Sequence, residues 1–162
     1  MSFSIRKGEK KDMTAAFELI TELAVFENEP DAIKITVDDL LEDGFKENPE
    51  FSTFFAEVNG EIVGMALYYK RYSTWEGKSI HLEDLIVKEK YRGQGIGKAL
   101  YLKVMQFAYR NNISRVEWEV LDWNKRALDF YLSTGAKLFK NWNLCQMTKA
   151  NMITFLEKNE SI

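Results

Sequence analysis

The run Tyr91-Arg92-Gly93-Gln94-Gly95-Ile96-Gly97-Lys98 carries the sharpest chemical signal in the chain. Three glycines at alternate positions let a backbone take positive φ and come close to a ligand. Leu100, Val104, Phe107 and Ala108 follow at helical spacing, so a helix starts at the loop. Its first N–H groups and its partial positive charge converge on one spot. That makes an anion site suited to a pyrophosphate. Arg92 and Lys98 add cationic donors at its edges. Two other phosphate loops do not fit. The dinucleotide fingerprint needs different glycine spacing in the first βα turn of a parallel unit. The nucleoside-triphosphate loop needs four residues between its first glycine and Gly-Lys-Ser/Thr, which is absent.

Carboxylates precede this loop. Along His81 to Val87, strand alternation puts His81, Glu83, Leu85 and Val87 on one face and Leu82, Asp84 and Ile86 on the other. Glu83, on a strand that runs into the anion loop, can hold an ammonium group or take its proton through water. Asp84 reads as a structural hydrogen-bond acceptor, and the sole histidine, His81, as structural or exposed. Phe26-Glu27, Glu29 and Asp31 follow an early helix, and Glu117, Trp118 and Glu119 lie on a later strand. These acidic groups suit a cationic substrate. Asn124, Ala127, Tyr131 and Gly135 share one helical face, and the Tyr131 phenol can donate a proton. Cys145 has no second histidine to activate it as a nucleophile, and no Cys/His cluster has zinc spacing.

The elements that must position these groups follow from patterning. Phe3 to Arg6 alternates as a strand, and Asp12 caps an amphipathic helix through Met13, Phe17, Ile20 and Ala24 that ends before Pro30. A second helix covers Val37 to Phe45. Thr53 to Val58, Asn59-Gly60 and Ile62 to Lys70 read as a hairpin. A strand spans Ser79 to Val87, and the loop then feeds a helix to about Asn111. A half-exposed strand holds Val116, Trp118 and Val120. A helix runs from Asn124 to Gly135. Two last strands near Ala136–Lys140 and Leu144–Lys149 and a helix from Met152 close the chain. Hairpins followed by α/β units argue for a mixed α/β sheet with helices on both faces.

Composition bounds the partners. The 162 residues read as a single domain, 1–162, with 46% hydrophobic side chains, enough for a core without metal or disulfide help. Lys plus Arg is 22 and Asp plus Glu is 25, a net charge of −3, which leaves no basic footprint for nucleic acid. No apolar run approaches 18 residues and no basic-then-apolar leader opens the chain, so no membrane partner is expected and a cytoplasmic location is.

The run Arg92 to Gly97 resembles the acetyl-CoA pyrophosphate loop of the GNAT N-acetyltransferase superfamily, Q/R-x-x-G-x-G/A. Further stretches are similar to its diamine (spermidine/spermine) and thialysine N-acetyltransferase branch. They are Asp39-Leu40-Leu41-Glu42-Asp43-Gly44-Phe45, Leu82-Glu83-Asp84-Leu85-Ile86-Val87, Trp123-Asn124, Phe130-Tyr131 and Gly135-Ala136. The resemblance implies a twisted sheet of six or seven strands, splayed between those bearing Glu83 and Glu119, with acetyl-CoA entering the opening. It implies Tyr131 as the acid to the departing thiolate and Glu83 on the amine. Leu85, Ile86 and Val87 would offer backbone groups to the cofactor. Arg92, Gly93, Gln94, Gly95, Ile96, Gly97, Lys98, Asn124 and Ala127 would also line the cofactor site. Phe26, Glu27, Glu117, Trp118 and Glu119 would line the amine site, and the protein would be a homodimer. One departure stands out: Lys140-Asn141-Trp142 replaces a glutamate that precedes the late tryptophan in the branch. A lysine there repels the far ammonium of a long polyamine, which favours shorter diamines or lysine-like amino acids. Acetylation of a protein lysine or N-terminal amine is the alternative, and a non-catalytic acyl-CoA sensor a further one.

Overall fold

A computed structural model describes residues 2–159. The chain divides after Glu119 into two compact units. The first holds β1 (Ser4–Lys7), α1 (Met13–Phe26), α2 (Val37–Phe45), β2 (Ser52–Val58), β3 (Glu61–Ser73), β4 (Gly77–Val87), α3 (Ile96–Arg110) and β5 (Arg115–Glu117). The second holds α4 (Lys125–Ser133) and α5 (Lys149–Glu157). Short 3-10 turns at Lys10–Asp12 and Glu89–Tyr91 lead into α1 and towards α3.

The five strands lie in the order β1-β2-β3-β4-β5. All pairs are antiparallel except β4 with β5. Asn59 (φ 50°) and Gly60 (φ 82°) turn β2 into β3, both left-handed as a tight hairpin requires. The expected alternation then builds two cores. Phe55 and its cross-strand partner Met65 pack with Met13, Ala16 and Leu19 of α1 and Leu40 of α2. Phe54 points to the other face, where it and Tyr68 meet Phe107 of α3 at ring-centroid distances of 6.1 and 5.2 Å. Helices therefore cover both faces.

The expected count of six or seven strands is corrected to five among the described residues. Neither Ala136–Lys140 nor Leu144–Lys149 forms a strand, and α5 begins at Lys149 rather than Met152. Leu138, Phe139, Leu144 and Met147 are exposed. β-rich alternation marks a segment able to pair, but a strand forms only where another edge supplies the ladder.

α3 approaches β3 through Gly64. A Cβ there would lie 2.8 Å from the Ile86 carbonyl oxygen and 3.2 Å from Leu100 Cδ1. The backbone oxygen cannot swing away, so Gly64→Ala is expected to destabilise the protein by about 1–3 kcal/mol. An unchanged urea midpoint would refute the close approach.

Candidate active site

The glycine loop forms as its spacing predicts. Gly93 (φ 80°) and Gly95 (φ 83°) are left-handed, and Gly95 is the N-cap of α3. No side chain caps this helix, so its first N–H groups are left to the loop. A Cβ on Gly95 would meet nothing within 4 Å, so the space above the helix end is open. Gln94 and Lys98 are exposed, whereas the Ile96 side chain is buried in the core. Left-handed glycines, an uncapped helix start and open space together fit a pyrophosphate.

Salt bridges that no spacing rule could reveal hold the loop in place. Tyr91 donates its hydroxyl hydrogen to Glu61 Oε2 at 2.8 Å, and Lys88 and Lys90 reach the same carboxylate at 3.1 and 3.2 Å. Tyr91, then the two lysines, hold the Glu61 carboxyl down at about 2. Arg92 Nε donates to the Val87 carbonyl at 2.8 Å, and its guanidinium lies 5.3 Å from the centre of the Phe26 ring. Glu22 accepts from the Glu89 N–H at 3.1 Å and lies 3.7 Å from Arg92. The end of α1 is thereby tied to the loop.

β4 pairs with β5 only over Ser79–His81. Beyond His81 that edge of β4, through Leu85, Ile86 and Val87, has no strand partner among the described residues. The Ile86 side chain is buried in the α1 core, so this residue offers only backbone to a ligand.

The alternation expected along β4 fails at Glu83. Tyr68 pairs with Leu82 and Leu67 with Asp84, which leaves Glu83 as the extra residue of a β-bulge. Leu82 therefore shares the α3 face with Tyr68, while Asp84 and Ile86 share the α1 face with Leu67 and Met65. His81, opposite Tyr69, lies on the α1 side as well. The bulge brings Glu83 to that side too: its Oε2 is 3.4 Å from His81 Nε2, and its charge acts on the Tyr69 hydroxyl. Glu83 and Asp84, expected on opposite faces, are thus neighbours.

This neighbourhood is strongly acidic. Burial, then the charges of Glu83 and Glu27, push the half-buried Asp84 carboxyl up to about 7. Burial also raises Glu27. Tyr69 is raised by burial first, with the charges of Glu83 and Glu119 adding to it. Glu83 and Glu27 therefore act on Asp84, and Glu83 and Glu119 on Tyr69. Glu117 is committed elsewhere: its oxygens lie 2.9 Å from Arg71 Nη1 and 2.9 Å from Arg115 Nε, as ion pairs whose angles fall outside a hydrogen bond. Trp118 packs edge-on against Tyr101 at 5.6 Å. Nearby, a cleft of about 340 Å³ is walled by Asp39, Asp43, Glu50, Glu83 and Asp84. Asp39 closes a capping box with Thr36, and Asp43 and Glu50 share Lys46.

Asn124, Ala127 and Tyr131 lie in the second unit. The Asn124 side chain accepts from the Ala127 N–H at 3.2 Å and starts α4. Asn124, Ala127, Leu128, Phe130 and Tyr131 are half-buried, while Gly135 is exposed. The Tyr131 carbonyl accepts from Thr134 N–H at 3.0 Å and Ala136 N–H at 3.3 Å, and Gly135 (φ 92°) ends the helix. Cys145 is exposed. Among the described residues, no cluster could hold a metal ion and no helix is long and apolar enough to cross a membrane.

Sequence comparison adds the deciding observation. Residues 14–136 match the model of the acetyltransferase (GNAT) family. The chain belongs to the GNAT family. The match includes residues of both units, the glycine loop and Tyr131. Among GNAT relatives, the thialysine N-epsilon-acetyltransferase of Bos taurus is 43% identical over 141 residues, 82% of this chain and 83% of that protein. The spermidine/spermine N(1)-acetyltransferase-like protein 1 of Homo sapiens is 35% identical over 161 residues, 93% of this chain but 23% of that longer protein. An integron cassette protein from the mobile metagenome of V. cholerae has the same fold, with a TM-score of 0.78 at 22% identity over 97% of this chain and 99% of that one.

Proposed function

We propose that this acetyltransferase, acting as one domain over its whole length, moves an acetyl group from acetyl-CoA to a primary amine of a small cationic substrate. A short diamine or a lysine-like amino acid such as thialysine fits best. The observation that carries this reading is the carboxylate group of Glu27, Glu83 and Asp84 on and around the strand that feeds the glycine loop. Such a group attracts an ammonium ion and can accept its proton.

When bound, acetyl-CoA supplies an acyl thioester, whose carbonyl carbon an amine can attack, and a thiolate as leaving group. The backbone of Gly93 to Gly97 and the start of α3 would hold its pyrophosphate, with Arg92 and Lys98 at the edges. The open edge at Leu85, Ile86 and Val87 would pair with its arm, and Asn124 and Ala127 would line its path. A primary amine near pKa ~10 is about one part in a thousand neutral at pH 7, so its proton must be taken before attack. Glu83, half exposed and beside His81, is suited to that step. Phe26, Glu27, Trp118 and Glu119 would surround the amine, with Glu117 holding Arg71 beside them. Tyr131 would give the departing sulfur its proton. The similarity to thialysine acetyltransferases, together with Lys140 before Trp142, favours an amino-acid amine over a long polyamine. A homodimer in the cytoplasm belongs to the same reading; exposed Trp142, Leu144 and Met147 offer apolar surface for it.

Thiol release from acetyl-CoA, followed with spermine, spermidine, putrescine, lysine, thialysine and a basic peptide, tests the proposal. Thialysine or putrescine is expected to turn over with kcat/KM at least about tenfold above spermine, the discrimination of roughly 1.4 kcal/mol that one repelled charge supplies. Turnover of the peptide alone would move the substrate to proteins. Retained coenzyme binding with no turnover of any amine would refute the reading.

A further inference from the structure

The chain's single histidine is built into the site more firmly than its position in the sequence suggests. His81 is 7% exposed and sits at the middle of three strands, opposite Tyr69 on β3 and Glu117 on β5. Arg71 Nη1 lies 3.3 Å from its Nδ1. A guanidinium has only hydrogens to offer, so Nδ1 must accept and the ring proton must sit on Nε2. A hydrogen on Nδ1 would point at the guanidinium. Arg71 is itself held by Glu117 at 2.9 Å, and Glu117 by Arg115 at 2.9 Å. The Tyr69 ring stacks on the imidazole with centroids 5.1 Å apart and planes 25° from parallel. Nε2, which carries the hydrogen, lies 3.4 Å from Glu83 Oε2.

We propose that His81 is a positioning residue: Arg71 fixes its tautomer, and its Nε2–H acts with the Tyr69 hydroxyl to aim the Glu83 carboxylate. This inference rests on the reading that Glu83 handles the amine. The bulge explains why such a device is needed. An extra residue in the ladder loses the direction that regular pairing imposes, and Glu83 is 51% exposed. One carboxylate oxygen aimed by two donors leaves the other lone pairs for an ammonium group. The 3.4 Å separation is a close approach rather than a formed hydrogen bond, and such contacts commonly align only when a substrate arrives.

Because there is one histidine, nitrogen NMR of protein labelled in its imidazole reads the tautomer without assignment. The proton is expected on Nε2 with Nδ1 bare, and Arg71→Met is expected to release that preference. A proton on Nδ1, or on both nitrogens, at pH 7.5 would overturn the proposal. Kinetics test the aim. His81→Phe keeps the stacked ring but removes both ring nitrogens, and is expected to lower kcat about 10- to 100-fold with KM for acetyl-CoA unchanged. His81→Gln keeps a donor at the Nε2 position and is expected to recover most of the loss. Matching urea midpoints for the two variants separate aim from folding. In a Glu83→Gln background, His81→Phe should cost little more, since both changes disable one unit. If Glu83→Gln alone leaves kcat intact, the reading of Glu83 fails. If Glu83→Gln is crippled while His81→Phe is not, only the positioning role fails.

Discussion

Replacing Tyr131 with phenylalanine is expected to lower kcat by about 10²- to 10⁴-fold, the range a positioned proton donor supplies. The change removes one oxygen and keeps the ring, so the tilted packing on Phe130 at 5.3 Å survives. The Asn124 cap and the closing bonds from Thr134 and Ala136 to the Tyr131 carbonyl are made without the phenol. Acetyl-CoA binding should hold, and the loss should fall on kcat. That pattern marks an interaction made in the transition state rather than in the bound ground state. Steady-state kinetics with the turned-over amine, alongside coenzyme titration of the same sample, give both quantities. A kcat within about threefold of the parent would remove Tyr131 from the proton path and leave that task to water.

What could be read from the chain beforehand divides along physical lines. The glycine loop was legible because positive φ and helix starts leave local marks, and Gly93, Gly95 and the start of α3 fall where spacing put them. The Asn59-Gly60 hairpin was legible for the same reason, and α2 spans Val37–Phe45 as its pattern implied. The bulge at Glu83 was not: inserting one residue into a ladder changes no composition and breaks no run, yet it reverses which neighbours share a face. The loop's tie to Glu61 and the triad of Arg71, His81 and Glu117 join residues distant in the chain. Their partners are chosen by strand register, which alternation alone does not supply. The two late strands failed in the opposite direction, since local β-preference was present without a paired edge. Asp84, read as structural from the sequence, shares a face with Glu83 for a reason that only the register supplies, whereas alternation already put His81 on the Glu83 face.

Asp84→Asn is expected to stabilise the protein at pH 8 by about 2–4 kcal/mol and to do little near pH 4. The sign follows from where the carboxyl titrates. In the unfolded chain Asp84 loses its proton near its ordinary value of 3.8, whereas in the fold it keeps the proton to about 7. Below pH 4 both states are protonated and the group is neutral towards folding. Between 4 and 7 the unfolded chain releases a proton that the fold retains, so stability falls as pH rises. Above 7 the fold must carry an ionised carboxylate against burial and the charges of Glu83 and Glu27, and the penalty stays constant. Solvent reaches the half-buried side chain and screens the repulsion, which sets the lower end of the range. Asparagine has nearly the shape of the protonated acid and no charge to suppress. The other carboxylates titrate in both proteins, so their contributions largely cancel in the difference between the two urea curves. A difference that is the same at pH 4 and pH 8 would place Asp84 in the ordinary carboxylate range. A gap that widens across pH 4 to 7 would establish that the chain tolerates a costly carboxylate beside Glu83, as a site for a cationic amine would require, since an arriving ammonium relieves the same repulsion.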